Sequence, residues 1–128
     1  MSQGPKRYDL AERTALFGET VIDLCKSVNV TTMTKSILNQ LMRSGTAIGA
    51  NYAEANGASS RRDFRNKIHI TKKESQETMH WLRMLAAVVP ERKSRVIPVW
   101  KEAQELTMIF QKITNTLNKK EQTAQLKH

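Results

Sequence analysis

Residues that carry cross-links, metal ligation or catalysis are scarce in this chain of 128 residues. It has one cysteine, three histidines and five glycines. A single cysteine excludes a disulfide framework and a cysteine-rich metal site within one chain. Ser44–Gly45 is not the start of a P-loop, because no Gly-Lys-Ser/Thr follows it. We therefore expect no catalytic residues, no metal and no cofactor, and an enzyme is the least supported class.

Long apolar stretches and acidic residues are also in short supply. The longest uncharged run, Ser44 to Ala53, is too short to span a bilayer, and the N-terminal segment lacks the apolar core of a signal peptide. Lys and Arg number 21 against 12 Asp and Glu, which gives a net charge of +9. We expect a cytoplasmic protein with no membrane contact. Its charge favours an anionic partner, nucleic acid first and an acidic protein or lipid surface second.

Hydrophobic spacing predicts four helices and no strand. The first helix begins at about Asp9, and the third follows Ser60, which resembles the N-terminal residue of a capping box. Pro98 is expected in the first turn of the fourth helix. Such helices predict an all-α, antiparallel up-down-up-down bundle over residues 1–118, and residues 119–128 are expected to form a frayed or disordered basic tail. The predicted breaks lie near residues 29–32, 57–60 and 90–94.

Four small residues recur at every fourth position of the second helix and form a ridge with almost no side chain. Each glycine costs about 1 kcal/mol of helix propensity against alanine, so close approach of another helix is the expected compensation. A seam of small hydroxyl residues on the third helix offers a matching surface. The ridge comprises Gly45, Gly49, Ala53 and Gly57, and the seam Thr71, Ser75 and Thr78.

The segment 61–73 is strongly basic. Six cations minus one acid give it a net charge of +5, enough to neutralise several backbone phosphates. The alternative is an ordinary solvated helix face, although such faces usually mix both signs. Exposed aromatic runs are absent, so backbone charge and shape rather than base stacking should dominate. The predicted nucleic-acid-binding residues are Arg61, Arg62, Arg65, Lys67, His69, Lys72, Lys73, Lys35 and Arg43.

Three large apolar residues lie one step off the helical seams: Ile70, Trp81 and Trp100. Each tryptophan either widens the core stripe of its own bundle or faces outward as an anchor for a neighbouring subunit, where tryptophan is enriched. Both interpretations stay open at this point. Glu77 and His80 occur as one Glu-x-x-His pair, whereas di-metal bundles need two, so surface hydrogen bonding is the favoured interpretation.

The region from Arg43 to Leu85 resembles a known family, the four-helix-bundle proteins encoded by intervening sequences of bacterial large-subunit ribosomal RNA genes. Related to these is the accessory variability determinant of diversity-generating retroelements. The block covers about a third of the chain, and order and spacing agree across two helices. The matching elements are Arg43-Ser44-Gly45, Gly49-x-Asn51-x-Ala53-Glu54-Ala55, Asp63-Phe64, and Lys73-Glu74-Ser75-x-Glu77-Thr78-x-x-Trp81-Leu82.

The resemblance implies an antiparallel bundle that assembles as a homopentameric ring with a basic surface. In the retroelement branch it implies binding to nucleic acid and to a partner reverse transcriptase. Asn51 and Glu54 match the family pattern, and we expect them to serve helix packing or subunit contacts. The leading interpretation is therefore a non-enzymatic, homo-oligomeric scaffold for RNA or DNA. The alternative is a protein-interaction module that binds an acidic protein without nucleic acid.

Overall fold

Helices account for most of the chain in the computed structural model, which describes residues 9–126. No strand occurs within that range. The all-α prediction is confirmed, and the helices break at the three predicted places. The elements are α1 (Leu10–Lys26), α2 (Thr34–Asn56), α3 (Arg61–Val88), a 3₁₀ turn (Pro90–Arg92) and α4 (Lys93–Leu126).

Two side chains cap helix N-termini as the sequence pattern indicates. The carboxylate of Asp9 accepts a hydrogen bond from the backbone N–H of Glu12 at 3.1 Å, and the hydroxyl of Ser60 accepts one from the N–H of Asp63 at 3.0 Å. Each bond satisfies a donor that has no partner within the helix. The caps fix the start of α1 and the start of the basic segment on α3.

The four helices form an antiparallel bundle around one core. Consecutive helices pack side by side, while α1 and α4 meet over fewer residues and close the bundle. Leu41, Ile48, Ile68, Leu82 and Phe110 are fully buried at its centre. The bundle architecture is therefore observed.

The glycine ridge of α2 faces α1, so the prediction that it packs against the third helix is wrong. A Cβ added to Gly45 would lie 2.8 Å from Cγ1 of Val21, and one added to Gly49 would lie 3.4 Å from the Thr14 backbone. Ala53 and Gly57 are exposed at the far end of α2. The ridge faces α1 because the larger residues of α2, such as Ile48, occupy the core.

The hydroxyl seam of α3 is buried and connects three helices. Thr71, Ser75 and Thr78 have no exposed surface. The hydroxyl oxygen of Thr78 lies 3.0 Å from that of Ser44 on α2, and the hydroxyl of Ser75 lies 2.8 Å from that of Thr107 on α4. Small side chains at this seam therefore let α3 approach both neighbours, and their polar atoms have partners.

Helix α4 differs from its prediction at both ends. It begins at Lys93, so Pro98 lies in its second turn rather than its first. It also continues to Leu126, so residues 119–126 are helical and not a frayed tail. These residues are exposed, and they extend the helix alongside the N-terminal turns of α3. The last predicted tail residues, 127–128, lie outside the described residues.

Candidate nucleic-acid interface

The first turns of α3 and the last turns of α4 enclose a concavity of ≈ 310 Å³. Arg61 and Arg62 are exposed in the first turn of α3, directly after the Ser60 cap. The lining contains four cations and one carboxylate, a net charge of +3. The lining residues are Arg61, Arg62, Arg65, Leu117, Lys120, Glu121 and Ala124.

Arg65 is the least exposed of the three arginines and bonds across the concavity. Its guanidinium donates to the carboxylate of Glu121 on α4. Its side chain is 24% exposed against 49% for Glu121. An anion entering the concavity would therefore meet Arg61, Arg62 and Lys120 directly, whereas it would share Arg65 with the Glu121 carboxylate.

Lys72 continues the same face two helical turns further along α3. Its ammonium donates to the amide oxygen of Gln111 on α4 at 2.8 Å. A neutral partner leaves the positive charge of Lys72 uncompensated, whereas a carboxylate would cancel it. Arg65 and Lys72 are seven positions apart on the helix, a rise of about 10 Å. The α3/α4 face therefore presents cations along its length.

The α2/α3 face has the opposite character, because its cations are paired with carboxylates. Arg43 donates to Glu74 at 3.2 Å and also bonds to Glu77. Lys67 donates to Glu54 at 2.7 Å. The bonds to Glu77 and Glu54 raise the pKa values of Arg43 and Lys67 above their ordinary values. Two predicted phosphate contacts, Arg43 and Lys67, are thus neutralised locally.

The remaining predicted phosphate contacts lie apart from the concavity. Lys73 is exposed and His69 half-buried on the outer side of α3. Lys35 is exposed at the start of α2, which runs antiparallel to α3, so it lies near the opposite end of the bundle from Arg61. The separation along the bundle is roughly 35 Å. Lys35 therefore cannot share one phosphate with the arginines.

The two tryptophans are half-buried and pack against the core, which favours the interpretation that they widen their own bundle. Ile70 is 39% exposed and remains a surface residue. The Trp81 indole N–H is buried without a hydrogen-bond partner among residues 9–126. His80 contacts Trp81 edge-on, with ring centroids 4.9 Å apart.

Asn51 and Glu54, matched to the family pattern, have local contacts. The amide of Asn51 donates to the carbonyl of Ala47 at 2.9 Å, one turn back on α2. Glu54 pairs with Lys67, so it links α2 to α3 at the surface. Both residues therefore tie the end of α2 to its own backbone or to α3.

Metal-binding and membrane-spanning features are not found in the part of the chain described, residues 9–126. No group of three or more potential metal-ligating side chains occurs there. Glu77, one half of the Glu-x-x-His pair, is engaged by Arg43. None of the helices in this range is both long enough and apolar enough to cross a bilayer.

Sequence reasoning missed Lys120 and Glu121 as members of the basic site. A signal was present, since Leu117 and Ala124 are seven residues apart and continue the four-three spacing of α4. Alanine is a weak apolar marker, and the surrounding residues are polar. The segment therefore shows no clear apolar period, although it is helical and lies beside Arg65.

The chain resembles proteins of known structure and one known family. Its residues 6–89 match the family model described as 23S rRNA-intervening sequence protein. A crystal structure of a protein of unknown function from the S23 ribosomal protein family of Bacteroides thetaiotaomicron VPI-5482 is similar, with a TM-score of 0.71 and 29% identity. The similarity covers 81% of this chain and 96% of that one. None of the curated proteins compared matches the chain. Since the family model spans α1, α2 and α3, the chain belongs to the 23S rRNA-intervening sequence protein family.

Proposed function

We propose that the protein is a non-enzymatic scaffold that binds the backbone of RNA or DNA through its α3/α4 face. The observation that carries this proposal is the segregation of charge. On the α2/α3 face, Arg43 and Lys67 are paired with carboxylates. On the α3/α4 face, Arg61, Arg62 and Lys120 share one concavity that holds a single carboxylate.

Guanidinium groups suit this task because they bond to phosphate oxygens in pairs and stay charged at any physiological pH. Such contacts fix position on the backbone and carry little base information. We therefore expect weak sequence preference and a strong dependence on salt. The small number of aromatic residues, two Trp, two Tyr and three Phe, agrees with a site that reads charge rather than bases.

RNA is the partner we propose first. The name of the matched family refers to an intervening sequence of 23S rRNA, and the similar crystal structure is of a protein from a ribosomal protein family. A reverse transcriptase partner, implied by the resemblance to the retroelement branch, stays a prediction. The gene neighbourhood distinguishes the two, since a retroelement would place a reverse transcriptase gene nearby.

The test compares two triple variants that remove the same charge from different parts of the bundle. Arg61, Arg62 and Arg65 are replaced by Gln on the α3/α4 face, and Lys35, Arg43 and Lys67 by Gln elsewhere. Fluorescence anisotropy with a labelled single-stranded oligoribonucleotide measures Kd across a salt series. We expect the first variant to lose affinity by on the order of 100-fold at low salt, with a log–log salt slope shallower by about 2.

The control variant should lose much less affinity, because its cations are paired or distant. Circular dichroism should show the same helicity for all three proteins. Equal losses in both variants would mean that net charge, and not this face, governs binding. Wild-type affinity in the arginine variant would contradict the proposed face and place RNA binding on another surface. Wild-type protein that does not bind RNA would leave the acidic-protein alternative.

We propose further that the scaffold is a homo-oligomer, with a ring of five favoured by the family resemblance. Exposed apolar side chains support self-association. Ile70 is 39% exposed, Ile97 40% and Met108 58%. Single exposed apolar residues also occur on the surfaces of monomers. The mass of the protein in solution therefore decides whether it assembles.

A further inference from the structure

We infer that the concavity between α3 and α4 is the principal phosphate subsite of the basic face, and that Glu121 is a built-in competitor for it. This inference rests on the proposed function and names the residues that set its affinity. It adds Lys120 and Glu121, from a different helix, to the arginines of α3.

The shape of the site suits one anion held by several groups. A volume of ≈ 310 Å³ lined by Arg61, Arg62, Arg65 and Lys120 lets several donors converge on one anion. Leu117, which is half-buried, and Ala124 give it a partly apolar wall. Several charged donors that converge on one phosphate add their hydrogen bonds. A phosphate in the concavity should therefore bind more tightly than one beside an isolated surface lysine.

A carboxylate already bonds to Arg65 in the site. Glu121 accepts a bond from the Arg65 guanidinium, as a phosphate oxygen would. A bound backbone must share the Arg65 guanidinium with Glu121 or replace this ion pair, and it must approach the negative charge of Glu121. Both effects reduce affinity. Neutralising Glu121 would raise the net charge of the lining from +3 to +4 and free Arg65 for the phosphate.

Lys120 reaches the site because α4 is helical to Leu126. Had the segment been a frayed tail, its lysines would offer only diffuse attraction. In the helix, Lys120 faces the first turns of α3. The last turns of α4 are therefore part of the binding site and not a dispensable extension.

The experiment measures Kd for a labelled single-stranded oligoribonucleotide with four single variants of the full chain. Glu121→Gln should tighten binding by about three- to tenfold, because it keeps the shape of the side chain and removes its charge. Its matched control is Glu54→Gln, which frees Lys67 on the α2/α3 face and should change Kd by less than about twofold. Lys120→Gln should weaken binding by about three- to tenfold, and its control is the exposed Lys112→Gln on the same helix.

Failure of this inference is distinguishable from failure of the proposed function. Wild-type protein that fails to bind the oligoribonucleotide overturns both. Binding in which Glu121→Gln behaves like Glu54→Gln overturns the inference alone. Circular dichroism and the unfolding midpoint establish that each variant is folded. A polyglutamate competitor that displaces the RNA at equal charge concentration would show that the site takes carboxylates equally well, which would overturn the assignment to phosphate.

Discussion

A methyl group added at Gly45 would lie 2.8 Å and 2.9 Å from the two γ-carbons of Val21, closer than carbon atoms pack in a relaxed core. Gly45→Ala should therefore destabilise the bundle. Overpacking costs about 1–3 kcal/mol, and the gain in helix propensity returns about 1 kcal/mol. We expect a net loss on the order of 1 kcal/mol, measured as a lower urea midpoint with an unchanged slope.

The matched control for this substitution is Gly57→Ala, at the exposed end of the same ridge. A methyl group there would meet only carbonyl oxygens of its own helix, at 3.8 Å. The urea midpoint of the Gly57→Ala variant should stay at or above the wild-type value. If Gly45→Ala proved as stable as Gly57→Ala, the close approach of α1 and α2 would not depend on the glycine.

Cys25 offers a test through its titration. Partial burial raises the pKa of its thiol to about 11, whereas an exposed cysteine has a pKa of about 8.5. Only the thiolate is alkylated, so the native rate with iodoacetamide should rise toward a midpoint near pH 11. In urea, where the chain is unfolded, the pH midpoint of the alkylation rate should fall to about 8.5. Stability should decline as pH rises through this interval, because deprotonation favours the unfolded chain. A native midpoint at the unfolded value would show that Cys25 is exposed.

At the scale of elements, the helices could be predicted from the sequence because apolar period, caps and prolines agree. Ser60 marks the start of α3, and Pro90 its end. The partner of the glycine ridge could not be predicted in this way. A ridge of small residues can pack against α1 or α3 equally well. Burial of the larger side chains of α2, such as Ile48, sets the rotation of the helix and so decides which neighbour the ridge meets.

The candidate site was predicted in part. The sequence places Arg61, Arg62 and Arg65 together, since they are close in one helix. It does not show that Arg43 and Lys67 are paired, because their carboxylates lie 31 and 13 residues away in sequence. Pairing across helices depends on register, which follows from packing. Charge counts along a sequence thus overestimate the charge available to a ligand.

At the scale of the whole molecule, the pairing of Arg43 and Lys67 with Glu54, Glu74 and Glu77 makes the α2/α3 face less basic than the α3/α4 face. The net charge of each chain is +9. If several chains form a ring, their basic faces add to one field, which attracts a polyanion from a greater distance than a single chain does. Assembly and binding are therefore expected to reinforce each other.

Assembly is tested by light scattering at micromolar concentration. Five chains of 14.6 kDa give a mass of about 73 kDa, and we expect a single species of that mass. Ile70→Glu should lower the mass, because it buries a charge in the proposed contact. Val30→Glu is the control, since Val30 is 71% exposed in the loop after α1 and should leave the mass unchanged. A wild-type monomer would refute the ring. A stable oligomer insensitive to Ile70→Glu would place the contact on another face, with Ile97 and Met108 as the next residues to test.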